Sequence, residues 1–525
     1  MHPPTTKHSI GGVYSAVSEY VFGNMDDAGK LMGLGPYGRK GVFTGEIFDL
    51  RDGRVFVNYD WQQRFVDPSV SYDDFKARFQ YFADIAYWVQ REVERAVLYV
   101  VDSRYDIDSH DNLCYAGGVA LNAVANNKIL KQTKVKNIYM EPAAGDNGLA
   151  IGCAYYGWME VLKRERVKHD GSTTFGIKYS SSEVADALET FEPLSDTYTQ
   201  ETAEEFLTLL AEYGQNEGYD QFDKVCLLRV EGIGDFELMA NDTNYALVKG
   251  KVKNPTCALV ISAENFVKWI FAQKYIDALA KFGQVELWNA DEVNAILTVV
   301  DAVANIKQRA KNIRRYLPAE PQSPVIYQKS KDYIRKTAEL LAAGKVIGWF
   351  QEGSEFGPRA LGHRSILADP RNPEIRNFIN REIKFREDFR PFAPSVLRED
   401  VNVYFEQERE SPYMILVDQI KPEWKPKIPS VVHQDDSCRI QTVTPDWNPR
   451  YYELLQEFKK LTGVSVLVNT SFNKRGMPIV ETPYETIQFF LECAIDYIVV
   501  EDYIIGKREN EVLSPNEVLQ FAHSN

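Results

Sequence analysis

The chain has 525 residues, of which 44% are hydrophobic and 26% are charged, and these fractions exclude disordered, collagen-like and disulfide-scaffold proteins. The 60 basic and 75 acidic residues give a net charge of -15. This charge disfavours a protein that coats nucleic acid, because such binding depends on cationic neutralisation of phosphate.

The cysteines and the apolar runs indicate the compartment. The six cysteines are spread singly, with no C-x-x-C pair, which favours reduced thiols. No apolar run approaches the length of a membrane span, and the start, MHPPTTKHSIGG, has no apolar core of a signal peptide. We therefore predict a cytoplasmic protein with no membrane span and no nucleic-acid partner.

Two stretches divide the chain into three parts. KRERVKHDGS lies around residues 163–172, and the three prolines of LPAEPQSP at 317–324 would break any helix. We predict parts at residues 1–165, 166–322 and 323–525. The expected fold class is a multidomain protein of the α/β and α+β types.

The first part contains a long helix and then a glycine turn. Residues 81–102 place apolar side chains at helical spacing, with charges on the opposite face. NLCYAGGVALNAVANNKIL then runs from a short strand through Gly117 and Gly118 into a helix near Leu121. Such a turn lets the backbone approach a ligand, and a helix N-terminus favours an anion. A tight structural turn is an equally good interpretation.

A second turn of this kind lies 28 positions further along, at Gly145 in IYMEPAAGDNGLAIGCAYYG. Asp146 follows this glycine, between a strand and a helix of small residues. An Asp at such a turn is most often an N-cap, and less often a ligand of a metal or a ribose. We interpret the two turns as paired nucleotide-binding elements of one domain.

These blocks, AGGVALNAVANN and EPAAGDNGLAIG, together with HSIGGVYSAV and DAGKLMGLGPYG upstream, resemble the N-terminal domain of the NodU/CmcH family of O-carbamoyltransferases. The resemblance implies a partial actin/sugar-kinase-like fold, and transfer of a carbamoyl group from carbamoyl-adenylate to a hydroxyl of a small acceptor. It assigns Gly117, Gly118, Asn122 and Gly145 to nucleotide binding, Asp146 to a metal, and Asp27 and Lys30 to the acceptor side.

The chain departs from the family pattern at its start. Family members carry a phosphate loop and a paired-histidine iron motif upstream of HSIGGVYS, whereas this chain begins at Met1. Its seven histidines form no H-x-x-H or H-x-x-x-H pair, and Asp146 alone cannot hold an iron. We therefore expect either a fragment or natural truncation, or a separate polypeptide that completes the domain and supplies the histidines for Fe2+.

The middle part is acidic, with 19 acidic and 10 basic residues over 191–310. Period-2 strands broken by G-x-G-D and K-G turns, followed by helices from Glu264, predict an α+β insert. This pattern resembles a sterol-carrier-protein-type domain, whose fold encloses an apolar tunnel. A solvated acidic spacer or a dimer module is an alternative of equal weight. SSSEVADAL at 180–188 resembles the usual start of the connection between the two family domains.

The last part combines predicted elements with many basic side chains. A helix over KDYIRKTAELLAAG, the strand VIGWF and a helix over NPEIRNFINREIKFRE are expected in this order. Basic residues interleaved with Gly, Pro and Phe are Arg359, Arg364, Lys384, Arg386 and Arg390. Cations fixed on rigid turns suit the capture of phosphate or carboxylate. Arg439 falls on a probable strand, and a strand of the parallel type leads into Ser471, where hydroxyls and amides bind phosphate or simply form turns.

Four blocks, EFGPRALGHRSILADPRN, FREDFRPFAPSVL, RIQTVT and LVNTSFNKRGMPIVETP, resemble the YrdC-like C-terminal domain of the same family over residues 325–510. The resemblance implies that this α/β domain joins carbamoyl phosphate to ATP, with Mg2+, to make carbamoyl-adenylate. The residues that it assigns to catalysis are Arg359, Lys384, Arg390, Arg439 and Ser471. Two departures are small: His363 stands where Asn is frequent, and Asp436 where Gly is frequent.

The first hypothesis is therefore an ATP-dependent O-carbamoyltransferase acting on a hydroxyl of a small secondary metabolite, as in antibiotic biosynthesis. The alternative is a transfer-deficient binding protein that holds an apolar metabolite or lipid in the insert. Modification of tRNA is a third idea, which the net charge of -15 disfavours.

Overall fold

The computed structural model divides the chain into two compact units. The first combines Met1–Phe191 with Pro324–Asn525, and the second is Glu192–Ser323. The residues that it describes are 9–58, 64–65, 67–107, 109–167, 172–190, 200–213, 222–241, 244–250, 252, 255–263, 266, 285–289, 293, 295–300, 325–406 and 408–508.

The first stretch of the first unit is built around one long helix. Its helices are α1 (Ile10–Phe22), α2 (Ala28–Leu34), α3 (Tyr72–Ala77), α4 (Phe79–Tyr105), α5 (Ala123–Gln132), α6 (Leu149–Tyr156) and α7 (Ser181–Thr190). Its strands are β1 (Phe48–Arg51), β2 (Arg54–Val57), β3 (Asn112–Cys114) and β4 (Asn137–Tyr139). α4 confirms the helix predicted over 81–102 and buries Phe82, Val89 and Val93 in a core shared with α1 and α2. Apolar side chains on one face of a helix produce this burial.

Both predicted glycine turns are present in this stretch. After β3, a 3-10 turn at Gly118–Leu121 leads into α5, which begins at Ala123 and so slightly later than expected. β3 and β4 pair in parallel, and α5 connects them. The second turn, at Asp146–Gly148, leads directly into α6.

The boundary between the units lies after α7, whereas the predicted insert began at residue 166. Val184 and Leu188 of α7 lie in the largest core of the first unit. Thr174 also forms a β-bridge with Glu355. Burial of the apolar face of α7 therefore ties residues 172–190 to the first unit.

In the described residues, the second unit combines a helix with a five-stranded sheet. It contains α8 (Gln200–Tyr213), β5 (Lys224–Glu231), β6 (Gly234–Ala240), β7 (Tyr245–Lys249), β8 (Cys257–Ser262) and β9 (Val285–Trp288). The strand order is β7-β6-β5-β8-β9, which confirms the predicted run of strands. Apolar residues of the sheet and of α8 form a separate core. The helix expected from Glu264 lies largely outside the described residues.

The last stretch of the first unit forms a mixed sheet between two helical layers. Its strands are β10 (Val325–Lys329), β11 (Ile347–Phe350), β12 (Arg364–Ala368), β13 (Ala393–Leu397), β14 (Val417–Gln419), β15 (Ser437–Arg439), β16 (Gln441–Val443), β17 (Val466–Ser471), β18 (Tyr497–Val500) and β19 (Tyr503–Lys507). Its helices are α9 (Tyr333–Ala342), α10 (Ile375–Phe378), α11 (Val401–Tyr404), α12 (Pro449–Thr462) and α13 (Pro483–Glu492). Eight strands form the sheet, in the order β10-β19-β18-β11-β12-β17-β13-β16, while β14 pairs with β15. No helix in the described ranges is both long and apolar enough to cross a membrane.

Two local predictions in this stretch are wrong. β17 was expected to be parallel, but it pairs antiparallel with both β12 and β13. A strand buried on both faces has a continuous apolar run whatever the direction of its neighbours, so the run alone does not fix the direction. The helix expected over residues 372–387 consists only of α10 and a π-turn that ends at Ile383, because Phe385 has a φ of 47°.

Candidate active site

Five cations from three segments of the chain lie close together in the first unit. They are Arg359, Lys384, Arg386, Arg390 and Arg439. Burial, and then the neighbouring Arg390, lower the pKa of Arg359 to about 10. Burial, followed by Arg359, Arg386 and Arg390, lowers the pKa of Arg439 well below its usual value. Burial is the main cause of both shifts, and the neighbouring cations add to it, because like charges disfavour each other's charged form.

The guanidinium groups of Arg359 and Arg439 differ from that of Arg364 in their hydrogen bonds. Within the described part of the chain, Arg439 Nε is buried and makes no hydrogen bond, and no hydrogen bond involves the side chain of Arg359. Arg364, which the sequence grouped with them, also has a buried Nε without a hydrogen bond, but its two terminal nitrogens are engaged within the protein. It is fully buried, donates to the carbonyl oxygens of Gln351 (2.9 Å) and Glu352 (3.0 Å), and lies over the Phe350 ring. Arg364 therefore supports the loop, while the first two are open to an anion.

Lys384 and Ser471 are brought together, as the sequence predicted. The ammonium Nζ of Lys384 donates to the carbonyl oxygens of Ser471 (2.6 Å) and Asn473 (2.7 Å) and to Asn473 Oδ1 (2.6 Å), and it lies 3.2 Å from Ser471 Oγ. Burial, and then Arg386 and Arg390, lower the pKa of Lys384. The end of β17 thus holds this amine beside a hydroxyl. Asn473 was missed as a site residue, although it lies two positions after Ser471 in the same motif.

Arg386 joins the group because the chain reverses at Phe385. The positive φ of Phe385, 47°, follows a π-turn and brings Lys384 and Arg386 to the same cluster. Arg386 Nε donates to Asn380 Oδ1 (2.7 Å), and its guanidinium lies 4.7 Å from the centre of the Phe392 ring. The sequence marked Arg386 as basic without assigning it to catalysis. Its position two residues after Lys384 was the available signal.

The loop that carries Arg359 is held by one buried carboxylate. Glu355 Oε1 accepts from the backbone N–H groups of Leu361 (2.7 Å) and His363 (2.8 Å). Hydrogen bonds of backbone N–H groups to a carboxylate are stronger than neutral ones. This contact therefore fixes the turn between β11 and β12 that presents Arg359.

A network of buried amides holds the same loop against the sheet. Asn469 Nδ2 donates to the carbonyl oxygen of Ala360 (3.2 Å) and to Ser395 Oγ (3.1 Å), and Gln441 Nε2 donates to that of Leu361 (2.7 Å). Both amides are almost fully buried. Sequence reasoning missed them, although polar residues at the buried positions of β16 and β17 were the available signal.

The proposed nucleotide turns lie side by side. The N–H of Gly117, whose φ is 101°, donates to the carbonyl oxygen of Ala144 (2.8 Å), directly before Gly145. Asn122 caps α5 by accepting from the N–H of Ala125 (3.1 Å), and its Nδ2 donates to Gln90 Oε1 (3.0 Å). The side chain of Asn122 is thus engaged within the protein, while Gly117 and Gly118 have open space at their α-carbons.

Asp146, the predicted metal ligand, is exposed and starts the 3-10 turn that precedes α6. No group of three or more His, Cys, Asp or Glu side chains that could hold a metal occurs among the described residues. A single exposed carboxylate does not fit the ligand set of an iron site. We therefore derive no step through a metal at Asp146.

Asp27 and Lys30 lie next to the basic group rather than apart from it. Lys30 is almost fully buried, and its Nζ donates to Asp27 Oδ2 (2.7 Å) and Glu387 Oε1 (3.0 Å). Glu387 in turn lies 3.9 Å from Arg390. The charge of Asp27 also raises the pKa of Arg390 against the dominant lowering by burial. One chain of charges thus connects the acceptor-side residues with the cation group.

The Arg359 loop also meets the second nucleotide turn. A Cβ at Gly357, whose φ is 136°, would lie 3.1 Å from the carbonyl oxygen of Pro142. Only glycine allows this close approach at this backbone conformation. The cation-bearing loop therefore packs against the segment that leads into Gly145.

Two family models match the chain. The model described as carbamoyltransferase N-terminus matches residues 3–155, and the model described as carbamoyltransferase C-terminus matches residues 338–507. Their matches fall in the first unit, on the turns and on the cation group respectively.

Similar proteins extend over nearly the whole chain. An uncharacterized protein of Synechocystis is 31% identical over 95% of this chain and 67% of its own length. An uncharacterized protein of Methanocaldococcus jannaschii is 44% identical over 95% of this chain and 62% of its length. The nodulation protein NolNO of Sinorhizobium fredii is 28% identical over 95% of this chain and 56% of its length. The chain thus spans between 56% and 67% of these relatives.

Solved structures show weaker likenesses. The match to full-length HypF, in a phosphate- and nucleotide-bound form, covers 33% of this chain and 25% of the HypF chain. Its TM-score is 0.24, with 19% identity. The ubiquinone synthesis protein UbiJ-SCP2 covers 23% of this chain and 98% of that chain, with a TM-score of 0.16 and 15% identity. Both likenesses are weak in TM-score and in identity, and no property of this chain is inferred from them.

Proposed function

This chain belongs to the carbamoyltransferase family, and we propose that it makes carbamoyl-adenylate from carbamoyl phosphate and ATP. The carbamoyl group then passes to a hydroxyl of a small acceptor, for which a secondary metabolite is our proposal. The observation that carries the proposal is the crowded group of five cations, two of whose guanidinium groups make no hydrogen bond in the described residues.

The proposed substrates match this group of charges. Carbamoyl phosphate and ATP are both polyanions and repel each other in water. Cations held at fixed positions offset that repulsion and stabilise the charge that develops as a phosphate leaves. When bound with ATP, Mg2+ supplies further positive charge at the phosphates. A basic group of this kind is suited to this pair of substrates, although the chain as a whole is acidic.

The proposed reaction has two parts. In the first, water releases phosphate from carbamoyl phosphate, and an oxygen of the resulting carbamate attacks the α-phosphorus of ATP, so that diphosphate leaves. In the second, the acceptor hydroxyl attacks the carbamoyl carbon, loses its proton, and AMP leaves. Arg359 and Arg439 are suited to bind leaving phosphates, because their guanidinium groups can contact an anion bidentately. Lys384 is suited to position Ser471 and Asn473 beside the substrates, because its ammonium donates to both residues.

The two glycine turns are proposed to hold the nucleotide part of the adenylate. Two contacts support this proposal: the hydrogen bond between Gly117 and Ala144 joins the two turns, and the contact of Gly357 with Pro142 brings the Arg359 loop to the segment before the second turn. Asn122 is proposed to support the first turn through its cap and its bond to Gln90.

Consumption of the two substrates tests the proposal. Purified protein should consume ATP and carbamoyl phosphate together, and Arg359→Ala or Lys384→Ala should lower the rate about 100-fold, as removal of one preorganised donor does elsewhere. The matched control is Arg381→Ala, because Arg381 is exposed and paired with Asp388. Unchanged turnover in both site variants would contradict the site assignment.

A further inference from the structure

The segment Lys384–Pro391, here named the bridging loop, sends its side chains in two directions. Arg386 and Arg390 belong to the cation group. Glu387 and Phe389 contact the helices of the first stretch instead. One short loop therefore forms part of the proposed reaction site and part of another core.

Phe389 is an integral part of the core that α1, α2 and α4 form. Its side chain is 8% exposed and belongs to the same apolar cluster as Val17, Phe82 and Val89. Four aromatic rings surround it with centroids at 5.9 to 6.4 Å, namely Phe22, Tyr37, Phe75 and Phe79. Aromatic pairs at such separations attract each other beyond the burial of their area. The Phe389 ring is thus packed in the same core as the residues of α1, α2 and α4.

Glu387 provides a second anchor on the same loop. It is almost fully buried, and its Oε1 accepts from Lys30 Nζ at 3.0 Å. A Cβ at Gly33 would lie 3.4 Å from Pro391, so the loop also packs closely on α2. The two anchors flank Asp388 and enclose the stretch that leads into Arg390.

The bridging loop has a strained backbone that needs such anchors. Phe385 is a bulky residue with a φ of 47°, directly between Lys384 and Arg386. Backbone strain of this kind persists only where the surrounding structure over-determines the conformation, and it concentrates at functional sites. No ladder of a helix or strand holds residues 384–391 in the described structure. Asn380 holds the two ends of this stretch, by accepting from Arg386 Nε (2.7 Å) and donating to the carbonyl oxygen of Arg390 (3.1 Å). The contacts of Phe389 and Glu387 fix the stretch between the two arginines.

We propose that Phe389, together with Glu387, is a positioning residue that holds Arg386 and Arg390 for the reaction proposed above, on which this inference rests. The anion site would then depend on how the first stretch of the chain packs, although none of its residues belongs to the cation group. A change in the aromatic rings that surround Phe389, here named the socket, should therefore alter the affinity of the cation group for phosphate groups.

Binding of inorganic pyrophosphate to the full chain tests the inference. Phe389→Ala should raise the dissociation constant of pyrophosphate at least 10-fold and lower kcat/KM for ATP by a similar factor. Phe389→Leu, which refills most of the socket, should recover most of the affinity. Phe75→Leu, which changes the socket but not the loop, should weaken pyrophosphate binding in the same direction. Phe458→Leu is the matched control, because this ring is equally buried but lies in a different core.

The outcomes separate this inference from the proposed function. If the wild type binds pyrophosphate and the variants bind it equally well per folded molecule, while only their melting temperatures fall, Phe389 is merely structural and the inference is wrong. If Phe389→Ala does not fold, Phe75→Leu decides in the same way, because it also should weaken pyrophosphate binding. If the wild type does not bind pyrophosphate, the proposed function fails, and the inference fails with it.

Discussion

Arg439 shows what the cation group demands of the protein at the scale of a single residue. Its Nε is buried without a hydrogen bond, and three arginines lower its pKa further after burial has done so. A buried polar group without a partner costs stability, and crowded like charges add to that cost. The free protein therefore tolerates an unfavourable arrangement that a bound anion would relieve.

Two buried histidines predict how stability depends on pH. Burial lowers the pKa of His363 and of His433 from the usual value near 6.5. Between that value and the lower folded-state pKa, the unfolded chain binds more protons than the folded chain. The free energy of unfolding should therefore fall as the pH drops from 7.5 to 5.5, by up to about 1.4 kcal/mol per pH unit for each histidine.

Urea unfolding of His363→Asn at both pH values checks this expectation. The variant should lose part of the wild-type decrease, since His433 remains. His110→Asn serves as the control, because that side chain is exposed and should leave the decrease unchanged. A decrease of wild-type size in His363→Asn would rule out the assignment to this residue.

At the scale of residues, the sequence predicted well which cations lie together, and predicted poorly which hydrogen-bond partners each of them has. Arg359, Lys384, Arg390, Arg439 and Ser471 do come together. Arg364 could not be distinguished from them by sequence. A buried arginine that donates to carbonyl oxygens has the same sequence pattern as an arginine that faces a ligand. The partners that separate the two cases are the carbonyl oxygens of Gln351 and Glu352, and only the folded turn between β11 and β12 brings them to Arg364.

At the scale of elements, the turn between β11 and β12 depends on the one carboxylate of Glu355. Glu355→Ala should release the backbone N–H groups of Leu361 and His363, because both lose their acceptor. Hydrogen bonds to charged groups contribute about 1.5–3 kcal/mol, so the loop should open more often. Hydrogen exchange of these two amides should accelerate, and substrate consumption should fall about 10-fold through the displaced Arg359.

Glu355→Gln is the control, because a glutamine keeps one carbonyl oxygen as an acceptor at this position. It should change exchange and turnover much less than alanine does. Unchanged amide exchange in Glu355→Ala would show that the turn is held by the sheet amides alone.

Most elements were predictable, because local pattern decides them. The amphipathic spacing of residues 81–102 produces α4, and the apolar runs produce β11 and β17. The direction of β17 and the early end of the helix after α10 were not predictable. The first depends on which strands become neighbours, and the second on a φ of 47° at Phe385, which packing imposes against the preference of the residue.

At the scale of the molecule, the described core clusters each lie within one unit. The second unit has its own cluster, and none of the others contains a residue of Glu192–Ser323. Replacing this unit by a flexible linker of roughly a dozen residues should therefore leave pyrophosphate binding and the melting temperature of the first unit nearly unchanged.

A larger deletion from residue 166, the boundary that the sequence predicted, is the matched comparison. It also removes α7, whose Val184 and Leu188 are buried in the first unit, and it should lower the melting temperature strongly. Equal stability of the two deletions would place α7 outside that unit. The likeness of the insert to a sterol-carrier-protein-type domain stays a prediction, and the comparisons give no support to a separate polypeptide.

The discontinuity of the first unit has a consequence for its synthesis. Lys30 meets Glu387 across 357 positions, and β10 pairs with β19 at the far end of the chain. On the ribosome, the early helices emerge long before Phe389 can enter their core, whereas the second unit emerges as one continuous segment. The second unit can therefore fold before the first unit is complete, because the core of the early helices still lacks Phe389 at that stage.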